Sequence, residues 1–195
     1  MNNLDKFFRD QKKALTLFMT LFYPGKDEFY EWIDILVKNG MDILEIGIPV
    51  KNPIMDGEVI RKSYEKVLEN DIQEEEIVLA LKTIKNKYPN LPIVIMSYFE
   101  GIEKFNLFDY GEYYDAILCP DRYLAKEREG IKLVQIYHED MDDKTIRKLL
   151  NNNDGFAYVL SGKGSTGGRG SLSSNYKKTI KKIREISSIP IQVGF

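Results

Sequence analysis

Asp42-Ile-Leu-Glu-Ile-Gly-Ile-Pro49, followed closely by Pro53-Ile-Met-Asp56-Gly57, is the most informative stretch of this chain. Apolar residues fill nearly every position from Ile43 to Ile48, the pattern of a strand covered on both faces. Glu45 lies in the middle of that run, where an ionised carboxylate is costly unless it has partners or a task. Pro49 ends the strand. A loop then delivers a second carboxylate, Asp56, on a turn before Gly57. A carboxyl fixed on a strand and another carried on a loop form a candidate acid–base pair, with Glu45 desolvated and lifted in pKa and Asp56 ionised nearer solvent. For Glu45 the alternative is a core carboxylate paired with a structural Lys or Arg. Asp56-Gly57 taken alone is a common turn pair.

Six further runs share the strand character: Ala14–Phe22, Pro92–Phe99, Tyr114–Pro120, Lys132–Tyr137, Gly155–Ser161 and Pro190–Phe195. Amphipathic segments separate them. Phe29, Trp32, Ile33, Leu36 and Val37 recur at helical spacing, as do Ile77, Leu81 and Ile84, then Ile146, Leu149 and Leu150, then Ile180 and Ile183. Asn39-Gly40 is a helix stop, and Ser173 or Ser174 is the expected cap of the last helix. Asp140, Asp142 and Asp143 suit a helix start. Lys177, Lys178, Lys181 and Lys182 are expected on a solvated face.

Alternating strands and helices imply an α/β fold with a parallel sheet. No Gly-x-Gly-x-x-Gly follows the first strand, which disfavours a dinucleotide-binding unit. Polar residues near the C-terminal ends of several strands (Glu45, Tyr98, Asp121, the Gly-rich loop after the sixth) suit a (β/α)8 TIM-type barrel, where every such loop opens on one face. About seven strands are present in 195 residues, against about 250 residues for a typical eight-stranded barrel. The expectation is one domain, residues 1–195, an incomplete barrel whose closing unit is missing and which leaves two strand edges.

Bulk properties narrow the class. The formal charge is −2, apolar residues make up 43% and charged residues 30%, so no basic field points to nucleic acid. Cys119 is the single cysteine, which excludes a disulfide framework and fits the cytoplasm. No apolar run approaches a membrane span. His138, the single histidine, has no Cys or His near it at ligand spacing, so no metal is expected. Gly162-Lys-Gly-Ser-Thr-Gly-Gly-Arg-Gly170 lacks the order of a nucleotide-binding P-loop and reads as a flexible lid, with Lys163 or Arg169 as candidate phosphate contacts.

The order and spacing of Leu44-Glu-Ile-Gly-Ile-Pro49, Pro53 and Asp56-Gly57-Glu-Val-Ile60, joined by Met96-Ser-Tyr98-Phe99, Leu118-Cys-Pro-Asp121, Tyr158-Val-Leu-Ser161 and Gly164-Ser-Thr166-Gly167, resemble the tryptophan synthase α subunit over nearly the whole chain. The resemblance implies a TIM barrel that cleaves indole-3-glycerol phosphate to indole and glyceraldehyde 3-phosphate, without a cofactor, beside a β subunit that uses the indole. It places Glu45 on the catalytic glutamate and Asp56 on the aspartate that binds the indole N–H. Tyr98 falls on an active-site tyrosine, and Phe18 and Leu118 on the lining of the indole pocket. Thr166 falls on the mobile loop, Gly167 on a phosphate contact, and Pro53 and Ile54 on the loop that meets the β subunit. From the residues alone, the lesser alternative for Tyr98 is a barrel-filling aromatic, and Phe18 and Leu118 are apolar in either role. The chain departs from the family at Lys51, Asn52, Glu100 and Gly162. The resemblance stops after the seventh strand, short of the family's remaining phosphate contacts. A non-catalytic subunit that docks on and activates a β subunit is the alternative expectation.

Overall fold

The computed structural model describes residues 2–11, 13–125, 130–162 and 174–194. Seven strands, β1 (Thr16–Thr20), β2 (Ile43–Gly47), β3 (Ile93–Met96), β4 (Ala116–Leu118), β5 (Lys132–Tyr137), β6 (Ala157–Leu160) and β7 (Ile191–Gly194), run in sequence order through one sheet. Every neighbouring pair is parallel. All seven strands expected from the apolar runs are present; β5 matches its run and the other six are a little shorter than theirs. The sheet curls as a TIM barrel does, with seven of the eight strands, and β1 and β7 are its edges.

Period-two alternation sorts each strand into two faces. On β2, Leu44 and Ile46 point outward, into a layer completed by Phe29 and Ile33 of α2 (Lys26–Lys38) and by Ile77, Ala80, Leu81 and Ile84 of α4 (Glu74–Lys87). Ile43 points inward, with Val94, Ala116, Leu118 and Val134. Glu45 and Gly47 belong to that inward row. The helices α6 (Asp143–Leu150) and α7 (Tyr176–Ile186) cover the β5–β7 side through Ile146, Leu149 and Ile183.

Helix ends follow local chemistry. Gly40, just past α2, takes φ +94°, which glycine adopts at little cost. The Asp142 carboxylate caps α6 by accepting from Thr145 N–H at 2.7 Å. Three expectations are corrected. Trp32 is 46% exposed, because the buried stripe of α2 runs through Phe29 and Ile33, one helical turn apart, and Trp32 falls to one side of it, about 60° from Phe29 and about 100° from Ile33. The N-cap of α7 is Asn175, since Ser174 is spent in a turn whose carbonyl accepts from Lys177 N–H. Lys182 is partly covered and pairs with Asp143 of α6 at 2.7 Å, unlike the exposed Lys177, Lys178 and Lys181.

The sequence reading assigned no helix to three segments that form one: α1 (Asn3–Asp10), α3 (Glu58–Leu68) and α5 (Phe99–Lys104). The first closes the N-terminal end of the barrel. Leu4 enters the interior cluster beside Ile43, Val94 and Phe156. Asp115 ties the helix down, accepting from Asn3 N–H at 2.8 Å, Ile93 N–H at 3.0 Å and Lys85 Nζ at 3.1 Å. Among the described residues, no helix is long and apolar enough to cross a membrane.

Candidate active site

The barrel interior opens into a cavity of about 1300 Å³ whose walls include Phe18 of β1, Glu45 of β2, Asp56, Leu118 of β4, Ile136 of β5 and Tyr158 of β6. Each strand contributes an inward residue near its C-terminal end, so residues far apart in sequence converge. The walls are mostly hydrocarbon and aromatic, a shape for a flat apolar ring with a few polar handles.

Glu45 is 5% exposed, and its Oε1 has no hydrogen-bond partner among the described residues. Burial raises its pKa from 4.5 to about 7, and the nearby charge of Asp56 adds to the rise. Among the described residues no Lys or Arg pairs with it, which favours the acid–base reading over a structural ion pair.

Asp56 departs from expectation. It is 2% exposed, as buried as Glu45, and burial lifts its carboxyl above the ordinary value. The reason lies in the loop. Ile54 N–H donates to Asn52 O, and Asp56 N–H donates to Pro53 O, which folds residues 52–56 back over the barrel mouth. Two partners oppose the effect of burial: the Tyr98 hydroxyl donates to Asp56 Oδ2 at 2.9 Å, and Arg61 of α3 exerts a favourable field. The two carboxyls are thus distinguished by environment. Asp56 has a donor and a cation that favour its charged form, whereas among the described residues no cation acts on Glu45 and its Oε1 has no partner.

Tyr98 follows β3 and does not line the cavity. It stands behind Asp56, donating to the carboxylate and accepting from Met55 N–H at 2.9 Å, and so locks the loop. Phe18 and Leu118 do line the cavity. Pro53 is buried, but Ile54 is 75% exposed, with Met55 and Val59 exposed beside it. Thr166 and Gly167, with Lys163, Arg169 and the expected lid, lie outside the described residues. Asp121 serves the backbone, accepting from Phe99 N–H at 3.0 Å and from the Cys119 thiol at 3.1 Å. His138 lines the cavity without ligand partners, and no group of three metal-ligating side chains occurs among the described residues.

Tyr158 was not singled out as a site residue. It faces the cavity, and burial raises its phenol pKa, with Glu45 and Asp56 adding to the effect. Alternation along β6 holds the clue: Ala157 and Val159 join the outer cluster, so Tyr158 and Leu160 must face inward.

The sequence profile described as Tryptophan synthase alpha chain matches residues 4–116 and 120–195. The chain belongs to the tryptophan synthase alpha chain family. It is therefore a carbon–carbon lyase of tryptophan biosynthesis. It is 27% identical over 210 residues to the tryptophan synthase alpha chain of Leptospira interrogans, matching all of this chain and 80% of the relative. With that of Caldicellulosiruptor saccharolyticus it shares 30% over 214 residues, again its whole length and 82% of the relative. A chain from the tryptophan synthase a2b2 complex of Pyrococcus furiosus superposes with a TM-score of 0.79 at 26% identity, over 93% of this chain and 78% of that one. A structure from Aquifex aeolicus superposes with a TM-score of 0.81 at 24% identity, over 99% and 78%, a likeness of fold. The chain thus spans about four fifths of the length of these tryptophan synthase alpha relatives.

Proposed function

We propose that Glu45 and Asp56 carry out the cleavage of indole-3-glycerol phosphate to indole and glyceraldehyde 3-phosphate. The observation that carries this reading is the Glu45 carboxyl: buried, without a cation among the described residues, its pKa raised to about 7, and set in the wall of an aromatic-lined cavity beside a second carboxyl.

The reaction needs a proton on indole C3 so that the C3–glycerol carbon bond can break, with its electron pair returning to the ring. It also needs a proton taken from the glycerol hydroxyl as that carbon becomes the aldehyde. A carboxyl balanced near neutrality can deliver the one and accept the other, and Glu45 has that balance. Positive charge builds on the ring nitrogen when C3 is protonated. Asp56, whose charged form Tyr98 and Arg61 favour against burial, accepts the indole N–H and stabilises that charge. Phe18, Leu118 and Tyr158 supply the flat apolar walls for the ring.

The neighbour in an a2b2 complex and the exposed Ile54, Met55 and Val59 next to the catalytic loop support a β subunit as the partner, docking where Asp56 is held. The cytoplasm is the setting we assign to this work.

Indole release from indole-3-glycerol phosphate by the purified chain, alone and with a β subunit, tests the reading. Turnover abolished by Glu45→Gln supports it. Stimulation of a β subunit that survives Glu45→Gln, with no turnover by the unaltered chain, replaces it with the activator reading.

A further inference from the structure

Tyr64 has no task in the mechanism above. It lies on α3, fully buried, packed with Val50 and Tyr98 and against Phe18 and Ile60. Its hydroxyl has no hydrogen-bond partner among the described residues, although buried polar groups are nearly always paired.

Gly47 locates that hydroxyl. A Cβ at Gly47 would stand 2.8 Å from the Tyr64 oxygen and 2.4 Å from Phe18 Cζ. Gly47 and Glu45 are two residues apart on β2, so their side-chain directions coincide. The Tyr64 hydroxyl therefore fills the place on the inward row where the next side chain after Glu45 would stand, one two-residue step of roughly 6.6 Å along the strand. A glutamate side chain spans much of that step. The Glu45 oxygen Oε1 is the second buried atom there without a partner. Two unpaired polar atoms thus lie on one row, each costly if left so.

We propose that Tyr64 is a positioning residue for Glu45: its hydroxyl bonds Glu45 Oε1 through one water and keeps the carboxyl aimed into the cavity. A hydroxyl suits the role because it donates to a carboxylate and accepts from a carboxylic acid, so one contact serves both protonation states. A cation there would favour the charged state alone. The missing side chain of Gly47 makes room for this contact and for the Phe18 edge together. The other titratable groups facing the pair are Asp56 and Tyr98 from the loops after β2 and β3, Tyr158 from β6, and Arg61 beside Asp56.

The consequence for catalysis rests on the lyase reading; the contact itself does not. The test therefore has two readouts on the 195-residue chain. Carbon-detected NMR of 13C-carboxyl-labelled glutamate, with the resonance assigned by its loss in Glu45→Gln, follows Glu45 without substrate. Removing the donor in Tyr64→Phe raises the Glu45 midpoint by about half a pH unit or more. It also lowers kcat for indole release by about tenfold with KM held within twofold. A raised midpoint in a chain whose unaltered form shows no turnover upholds the contact and sinks the lyase reading. A midpoint unchanged or lowered in Tyr64→Phe overturns the proposal, even if kcat falls. Should Tyr64→Phe fail to fold, 3-fluorotyrosine at position 64 decides: its more acidic hydroxyl lowers the midpoint if the contact exists, and any other result overturns it.

Discussion

Glu45→Gln should stabilise the fold at alkaline pH and leave it nearly unchanged in acid. Burial and the neighbouring Asp56 charge carry the Glu45 pKa from 4.5 to about 7. Below pH 4.5 the side chain is protonated in both the folded and unfolded states and contributes no difference. Between 4.5 and 7 the unfolded chain releases the proton and the fold retains it, so stability falls as pH rises. Above 7 both states are charged and the penalty is complete, about 3 kcal/mol at 1.36 kcal/mol per pKa unit. Glutamine keeps the shape and carries no charge, so the variant escapes this loss. Urea unfolding of the two proteins at pH 4.5 and pH 8.5 measures it. The difference should grow by about 3 kcal/mol between the two conditions, or by roughly 6–12 °C in melting temperature for a chain of this size. A difference that is the same at both pH values would refute the reasoning, because it would mean that Glu45 charges in the fold at no cost. The expected trade is stability gained and turnover lost at one residue, as for a strained catalytic group.

Tyr98→Phe removes the donor to Asp56 and leaves Met55 N–H without its acceptor; the pH–rate profile should shift its acidic limb upward, with activity at neutral pH reduced about tenfold. Asp115→Ala strips three donors of one buried acceptor and frees α1 from the barrel floor; thermal unfolding should show a loss of about 3 kcal/mol, with faster amide exchange at Asn3 and Ile93. Ile54→Asp alters an exposed side chain, so the melting temperature should hold within about 2 °C while titration calorimetry shows at least tenfold weaker binding of a β subunit.

How much of this was legible beforehand depends on the range of the interaction. Continuous apolar runs marked all seven strands, because strands covered on both faces impose that pattern locally. Helix α5 has six residues, too few to show a helical period, and α3 follows directly on the loop that carries Asp56, whose polar residues mask its start. Helix α1 was missed because its Asn2 and Asn3 are held by Asp115 and Pro89, about a hundred residues away. A helix of eight residues is marginal by its own propensity and forms against tertiary contacts.

The parallel α/β plan, the carboxylate inside β2 and the spacing that delivers a second one from the next loop are all written into the order of residues along the chain. These are properties of neighbours along the chain, and periodicity reports them. Long-range packing makes Asp56 as buried as Glu45, sets Tyr98 behind it instead of in the cavity wall, and brings Tyr64 and Tyr158 toward the same pair. Each of those outcomes joins groups separated by tens of residues, such as Tyr98 and Asp56 across 42 positions. Desolvation and hydrogen bonding, which tell the two carboxyls apart, exist only once the strands have brought those groups to one end of the barrel.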